Sequence, residues 1–349
     1  MSAAGPAAVI VLAAGEGTRM RTRLPKTLHE VCGQTMLGHC LTAAAELRPE
    51  RLIVVVGHGA DEVAEEARRQ VPNAAIVVQD HLGGTGHAVR VVLETVGTIT
   101  GTVVVTYADT PLLRGTTLRD LVAERDKSGA AAAVLTALAP DPAGYGRIIR
   151  DGNGNFTAII EHADASDDQR QVDEINSGMY AFDGDLLADA VKRVHPHNAQ
   201  GEEYLTDAVT ILLADGHQVA TVCCPDFEEI QGVNDLVQLA HVSKVLNARL
   251  LDAAMRAGVR IADPASTWVD IGVRLAKDAY IGPGTKLEGT TTVAAGASVG
   301  PESTLRDTEV RAGAEITYSV CEGAVIGEGA RVGPFAHVQR AHVQGEPVT

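Results

Sequence analysis

From residue 269 the chain places an apolar side chain at every sixth position: Val269, Leu275, Ile281, Leu287, Val293, Val299 and Leu305, with glycines and small residues between. That period fits neither the 3.6-residue repeat of a helix nor the two-residue repeat of a strand. It fits a parallel β-helix, in which each apolar residue points into a stacked prism. After Leu305 the phase slips, and Val310, Ile316, Val320, Ile326, Val332 and Val338 follow. The slips at 305–310 and 316–320 are expected to be corners or short loops. A solenoid of this kind leaves edges that call for capping or subunit packing. Just upstream, residues 236–257 carry apolar side chains at 236, 237, 239, 240, 242, 245, 246, 250 and 251. That stripe predicts one long amphipathic helix, an arm joining two domains.

The other end of the chain has a different texture. Residues 8–12 form an apolar run short enough for a buried parallel strand. Ala13, Ala14, Gly15 and Gly17 follow, then Thr18, Arg19, Arg21, Arg23 and Lys26. A tight glycine turn after a first strand, opening onto backbone N–H groups and fixed cations, is a phosphate cradle. It matches neither the P-loop nor the Gly-x-Gly-x-x-Gly dinucleotide turn. Taken alone, it is equally a plain strand-loop-helix with surface arginines. Strand-like and helix-like runs then alternate to about residue 125: helix at 36–47, strand at 52–56, helix at 61–69, strands at 75–78 and 103–106. Alternation of this kind argues for a doubly wound, mostly parallel sheet with ligands at the carboxyl ends of its strands.

The formal charge of −16 argues against a non-specific nucleic-acid or anionic-membrane binder. A polyanionic substrate would need a local basic site, and residues 19–26 supply one. The first residues carry no positive flank, and their apolar run is too short for a signal segment or a membrane span. Five cysteines without Cys-x-x-Cys spacing suggest neither a disulfide framework nor a zinc site, and point to a reducing cytoplasm. Cys223 and Cys224 are expected to be strand core.

Several further stretches have ordinary local readings. Gly83-Gly84-Thr85-Gly86-His87 after Gln79 is a capped loop, and Asp109 at a strand end is a helix cap or a metal ligand. The glycine-bearing runs at 144–149 and 175–180 are hairpin strands, and 200–207 is a helix start.

Together, however, Leu-Ala-Ala-Gly-x-Gly-Thr-Arg-Met with Leu-Pro-Lys (12–26) resembles the signature of the sugar-1-phosphate nucleotidylyltransferases. With the helical arm and hexapeptide repeat, the chain is similar, over residues 8–338, to the bifunctional N-acetylglucosamine-1-phosphate uridylyltransferases/glucosamine-1-phosphate acetyltransferases. The resemblance implies an α/β fold: a Rossmann-like nucleotidylyltransferase domain (1–236), a linker helix (237–257) and a truncated left-handed parallel β-helix (258–349). It implies transfer of uridylyl from UTP to N-acetylglucosamine 1-phosphate, with Mg2+ held by Asp109 and Asn234. Arg19, Lys26 and Asp109 would be catalytic. Leu12, Ala13, Ala14, Gly15, Lys26, Gln79, Gly84 and Thr85 would bind UTP. Tyr107, Gly146, Glu161, Asn176, Tyr204 and Thr206 would hold the sugar. A homotrimer in the cytoplasm, without nucleic acid or membrane, is implied as well.

Three departures from the family pattern stand out. Ala108 replaces a glycine, and its methyl is expected to crowd the ligand and lower turnover. Glu203 replaces a tyrosine. The acetyltransferase His, Lys, Tyr and Asn would lie beyond Thr349, so acetyl transfer is not expected of this chain. Competing expectations are the same chemistry on another sugar 1-phosphate or base, and a non-catalytic scaffold subunit.

Overall fold

The computed structural model describes residues 5–196, 201–344 and 348. Gln200, the first residue of the predicted helix start, lies outside them. The chain divides into two compact units, one comprising residues 1–29 and 35–238, the other 30–34 and 239–349.

The first unit is a nine-stranded sheet flanked by helices. Its strands are β1 (Ala8–Ala13), β2 (Arg51–Val56), β3 (Ala75–Val78), β4 (Thr102–Tyr107), β5 (Ala132–Leu138), β6 (Gly146–Arg150), β7 (Phe156–Ile160), β8 (Glu174–Asp183) and β9 (Val219–Cys224). The order along the main path is β9-β5-β8-β4-β1-β2-β3, with β6 on β8 and β7 on β6. β1, β2, β3 and β4 run parallel, as the alternation of strand and helix predicts. β8 runs antiparallel to both β4 and β5, so the sheet is mixed. β1 is buried along its whole length because helices cover both faces, and this explains its unbroken apolar run.

The connectivity decides where a ligand can sit. From β1 the chain winds outward through β2 and β3, then returns to the other side of β1 as β4. The loops after β1 and β4 therefore leave the sheet side by side, with Leu12 opposite Tyr107. That is a topological switch point, where a crevice opens at the carboxyl ends of the strands.

Cys224 is buried as expected, but Cys223 is exposed. β9 is an edge strand, and its burial falls off from Val219 to Cys223 before returning at Cys224.

In the second unit, three parallel sheets of five short strands each stack as a left-handed parallel β-helix. Its core is the predicted column, Val269, Ile281, Leu287, Val293, Val299 and Leu305 among the residues that point inward. One position corrects the predicted phase. Val320 is 38% exposed, and Cys321 is the buried residue that continues the ladder from Leu305 to Val338. Hydrophobicity alone favours valine. A thiol buries equally well, and strand register rather than side-chain type assigns the inward position. Hydroxyls at the corners satisfy the backbone: Thr285 donates to Gly282 O (2.8 Å), and Thr308 donates to Arg306 O (2.9 Å) and Cys321 O (3.1 Å).

The predicted long helix is observed as Leu236–Arg256. Within the second unit, Asn247 ties it to the first coil: its Nδ2 donates to Thr267 O and its Oδ1 accepts from Val269 N, each at 2.9 Å. These bonds satisfy a coil edge that has no preceding turn to pair with.

Candidate active site

At the switch point a cleft of about 300 Å³ is lined by Leu12, Ala13, Ala14, Gly15, Lys26, Gln79, Gly84, Thr85, Tyr107 and Asp109. All residues predicted for the nucleotide thus face one space. Thr27, Leu82, Ala88 and Glu202 line it too. Sequence reasoning passed over these four because they sit beside motif positions without a residue type that signals phosphate chemistry.

Two glycines shape the phosphate loop for different reasons. A Cβ on Gly15 would meet nothing within 4 Å, so the backbone there lies open to an incoming group. Gly17 has φ +62°, and a Cβ on it would lie 2.5 Å from Lys26 Cβ. Glycine is required at 17 for the Lys26 stem to pass.

That passage brings the Lys26 ammonium to the floor of the cleft. Its Nζ donates to Asp109 Oδ2 at 2.5 Å and to Asn234 Oδ1 at 2.8 Å. Arg19 Nη2 donates to the same Asn234 oxygen at 2.9 Å. Asn234 is delivered by a loop stitched to the end of β4, where Val233 N donates to Asp109 O (2.9 Å). Four residues separated by as many as 215 positions therefore converge on one point. The lysine occupies a place where a carboxylate and an amide oxygen meet a cation, the donor set a hard metal ion prefers. Among the described residues, no group of three or more His, Cys, Asp or Glu is placed to hold a metal. Any metal here would have two protein oxygens and would complete its shell from phosphate and water.

The predicted sugar residues form a second cluster. Thr206 Oγ1 donates to Glu161 Oε1 at 3.2 Å, and a Cβ on Gly146 would lie 3.2 Å from Glu161 Oε2. Burial pushes the Glu161 carboxyl above its ordinary range, with Asp207 and Asp164 adding to the effect. Burial likewise raises Tyr204 to about 12, with Glu202 and Glu161 nearby. Tyr107 joins the two clusters. Its phenol is raised by burial and by Asp109 and Glu161, and it hydrogen-bonds Thr85. A Cβ on Gly178 would collide with the Tyr107 ring at 2.6 Å, which is why the β8 bulge carries glycine there. Asn176 is engaged inside that bulge: Nδ2 donates to Tyr180 Oη (2.8 Å) and Oδ1 accepts from Gly178 N (3.0 Å).

Two departures now have physical accounts. The Ala108 side chain is fully buried in the apolar layer with Val11, Leu37 and Leu113, and its backbone avoids the left-handed region. Its methyl does not line the cleft, which removes the basis for expecting lowered turnover. Glu203 takes a bidentate pair from Arg90, Nε to Oε2 at 2.9 Å and Nη2 to Oε1 at 2.8 Å. Its backbone also clamps the loop after β3, Gly86 N to Glu203 O (2.8 Å) and Glu203 N to Gly83 O (2.7 Å).

A family model described as the MobA-like NTP transferase domain matches residues 9–165. The fold is shared with a crystal structure of UDP-glucose pyrophosphorylase complexed with UDP-glucose (TM-score 0.53, 15% identity), covering 69% of this chain and 98% of that one. The matched domain is that of an NTP transferase, and the shared fold is consistent with it. The bifunctional protein GlmU of Thermobifida fusca is 55% identical over 331 residues, 94% of this chain and 68% of that protein. Its counterpart in Streptomyces coelicolor is 52% identical over 341 residues, 97% of this chain and 71% of that protein. The chain belongs to the GlmU family of bifunctional proteins, and its activity is the uridylyl transfer of UDP-N-acetylglucosamine synthesis.

Proposed function

We propose that the cleft joins UTP to N-acetylglucosamine 1-phosphate, giving UDP-N-acetylglucosamine, a cell-wall precursor, and pyrophosphate. The observation that carries this reading is the Lys26 ammonium held between Asp109 and Asn234 beneath an open glycine loop. The sugar phosphate is already ionised at neutral pH, so its oxygen attacks the α-phosphorus without a general base. The α–β phosphoanhydride bond breaks, and the electron pair leaves on pyrophosphate. Catalysis then rests on position and charge.

Asp109 and Asn234 would hold Mg2+, which supplies neutralisation of phosphate charge when bound. The Gly15–Thr18 backbone cradles the triphosphate, and Lys26 with Arg19 stabilises the departing pyrophosphate. Gln79 and Gly84 face the base. Glu161, Thr206, Tyr204 and Gly146 receive the sugar, with Tyr107 and Asn176 shaping the floor. Among the described residues no helix is long and apolar enough to cross a membrane. We place the working protein in the cytoplasm as a trimer packed through its β-helices, with the uridylyltransferase in the unit that ends at Gln238.

Pyrophosphate release tests the reading. UTP, Mg2+ and N-acetylglucosamine 1-phosphate should support turnover, whereas ATP or glucose 1-phosphate in place of its counterpart should not. Equal rates with glucose 1-phosphate would overturn the sugar assignment, and silence from folded protein would overturn the chemistry.

A further inference from the structure

Beneath the base end of the cleft, the Gln79 side chain is anchored by its nitrogen. Nε2 donates to Gly84 O at 3.2 Å and lies 2.8 Å from His87 Nδ1. A carbonyl oxygen can only accept, so the longer Gly84 contact favours the amide nitrogen on that side, and the shorter His87 contact secures it there. The second contact then requires Nδ1 of His87 to be an acceptor, which makes the ring neutral with its proton on Nε2. Gln79 lines the cleft, and Oε1 is the polar atom of its amide that these two contacts leave over.

We infer that His87 is a positioning residue for base selection: it holds the Gln79 amide with its oxygen toward the base, and thereby selects uracil over cytosine. This rests on the proposed assignment of Gln79 to the base. An acceptor at that point suits the N3–H of uracil and opposes the lone pair on N3 of cytosine. Were His87 to lose its acceptor, only the longer Gly84 contact would oppose a turn of the amide, and the turned amide would present N–H to the base and accommodate cytosine. A buried site that misplaces a donor or acceptor rejects the wrong partner strongly, and reversing the amide removes that penalty.

The ring is well held for the task. His87 is buried, and a Cβ on Gly83 would stand 2.8 Å from His87 Cγ, so the loop backbone packs directly on the ring. The groups that face His87 also favour its neutral form. Burial lowers its pKa, with His81, whose ring lies 4.1 Å away centroid to centroid and tilted by 41°, and Arg90 adding to the effect; Glu203 and Asp80 act in the opposite sense.

The experiment compares kcat/KM for UTP and CTP with N-acetylglucosamine 1-phosphate in wild type, His87→Leu, His87→Asn and Gln79→Leu. His87→Leu, which has no acceptor, is expected to lower the UTP-to-CTP ratio by tenfold or more. His87→Asn, whose Oδ1 can stand near the Nδ1 position, should recover most of it. In the unaltered enzyme the ratio should be flat above the ordinary imidazole value of about 6.5 and should fall only below it. Ionisation of the phosphates is common to both nucleotides and cancels in the ratio, and the series stays within the range where cytosine N3 is unprotonated and uracil N3–H is intact. If Gln79→Leu collapses the ratio while His87→Leu and acid leave it intact, the role of His87 is refuted and the base assignment stands. If Gln79→Leu leaves the ratio unchanged, the base assignment itself is refuted. The pH series on wild type reads the same property if His87→Leu does not fold.

Discussion

Replacing Lys26 by methionine keeps most of the aliphatic stem and removes the ammonium that holds Asp109 and Asn234 together. Two consequences follow, one for the free protein and one for turnover. The Lys26 and Asp109 side chains are 12% and 24% exposed, and their contact is 2.5 Å, a partly buried charge-assisted hydrogen bond. Removing one partner leaves a carboxylate short of its counter-charge, at a cost of about 1–3 kcal/mol in the ligand-free protein. Asp109→Asn relieves that imbalance. The double variant should therefore be less destabilised than the sum of the two single variants, with a coupling of about 1–2 kcal/mol in urea denaturation. Turnover should behave differently. A preorganised donor to a departing anion contributes about 3–4 kcal/mol to the transition state, so kcat of Lys26→Met should fall by about 10²–10³. Asp109→Asn should not rescue it. A Lys26→Met enzyme within about threefold of the wild-type rate of pyrophosphate release would refute the catalytic role. A coupling near zero would refute the ion pair as a structural element.

Three other expectations test separate parts of the molecule. Leu287 is fully buried in the β-helix core, and Leu287→Ala should cost about 2–5 kcal/mol, read as an earlier unfolding transition of that unit; an unshifted transition would contradict the inward column. Hydrogen bonds from Arg90 hold the Glu203 carboxyl below its usual range. Its contribution is therefore complete above about pH 4.3 and is lost as the pH falls through the depressed folded value; Arg90→Met should flatten the acid limb of stability against pH, and an unchanged slope would remove the clamp from consideration. Glu161→Gln should raise KM for N-acetylglucosamine 1-phosphate by about tenfold, through loss of a charge-assisted hydrogen bond, while KM for UTP stays near its original value. Equal changes in both constants would place Glu161 outside the sugar site.

The sequence by itself determined the parts of this protein that depend on period and on local chemistry. Six-residue apolar spacing can be buried in few ways, so the β-helix and its column from Val269 to Leu305 were legible without coordinates. The unbroken apolar run of β1, followed by Gly15 and Gly17, announced a buried parallel strand and a loop that brings backbone to a ligand. Resemblance then named the residues that line the cleft, although what it assigned to each needed partners far away in the chain. Only tertiary structure decided those partners. Register, not hydrophobicity, turned Cys321 inward and Val320 out. The reversal of β8 made the sheet mixed, a choice of pairing that no local pattern records. The methyl of Ala108, in the turn just past the end of β4, lies in the core, a fact invisible to a motif comparison. Lys26, Asp109 and Asn234 meet through a strand order in which β4 returns beside β1, and His87 acquires its role through Gln79, eight residues earlier. Charge and hydrogen-bond complementarity act over about 3 Å in space, whereas sequence spacing constrains only neighbours along a helix, a strand or a turn.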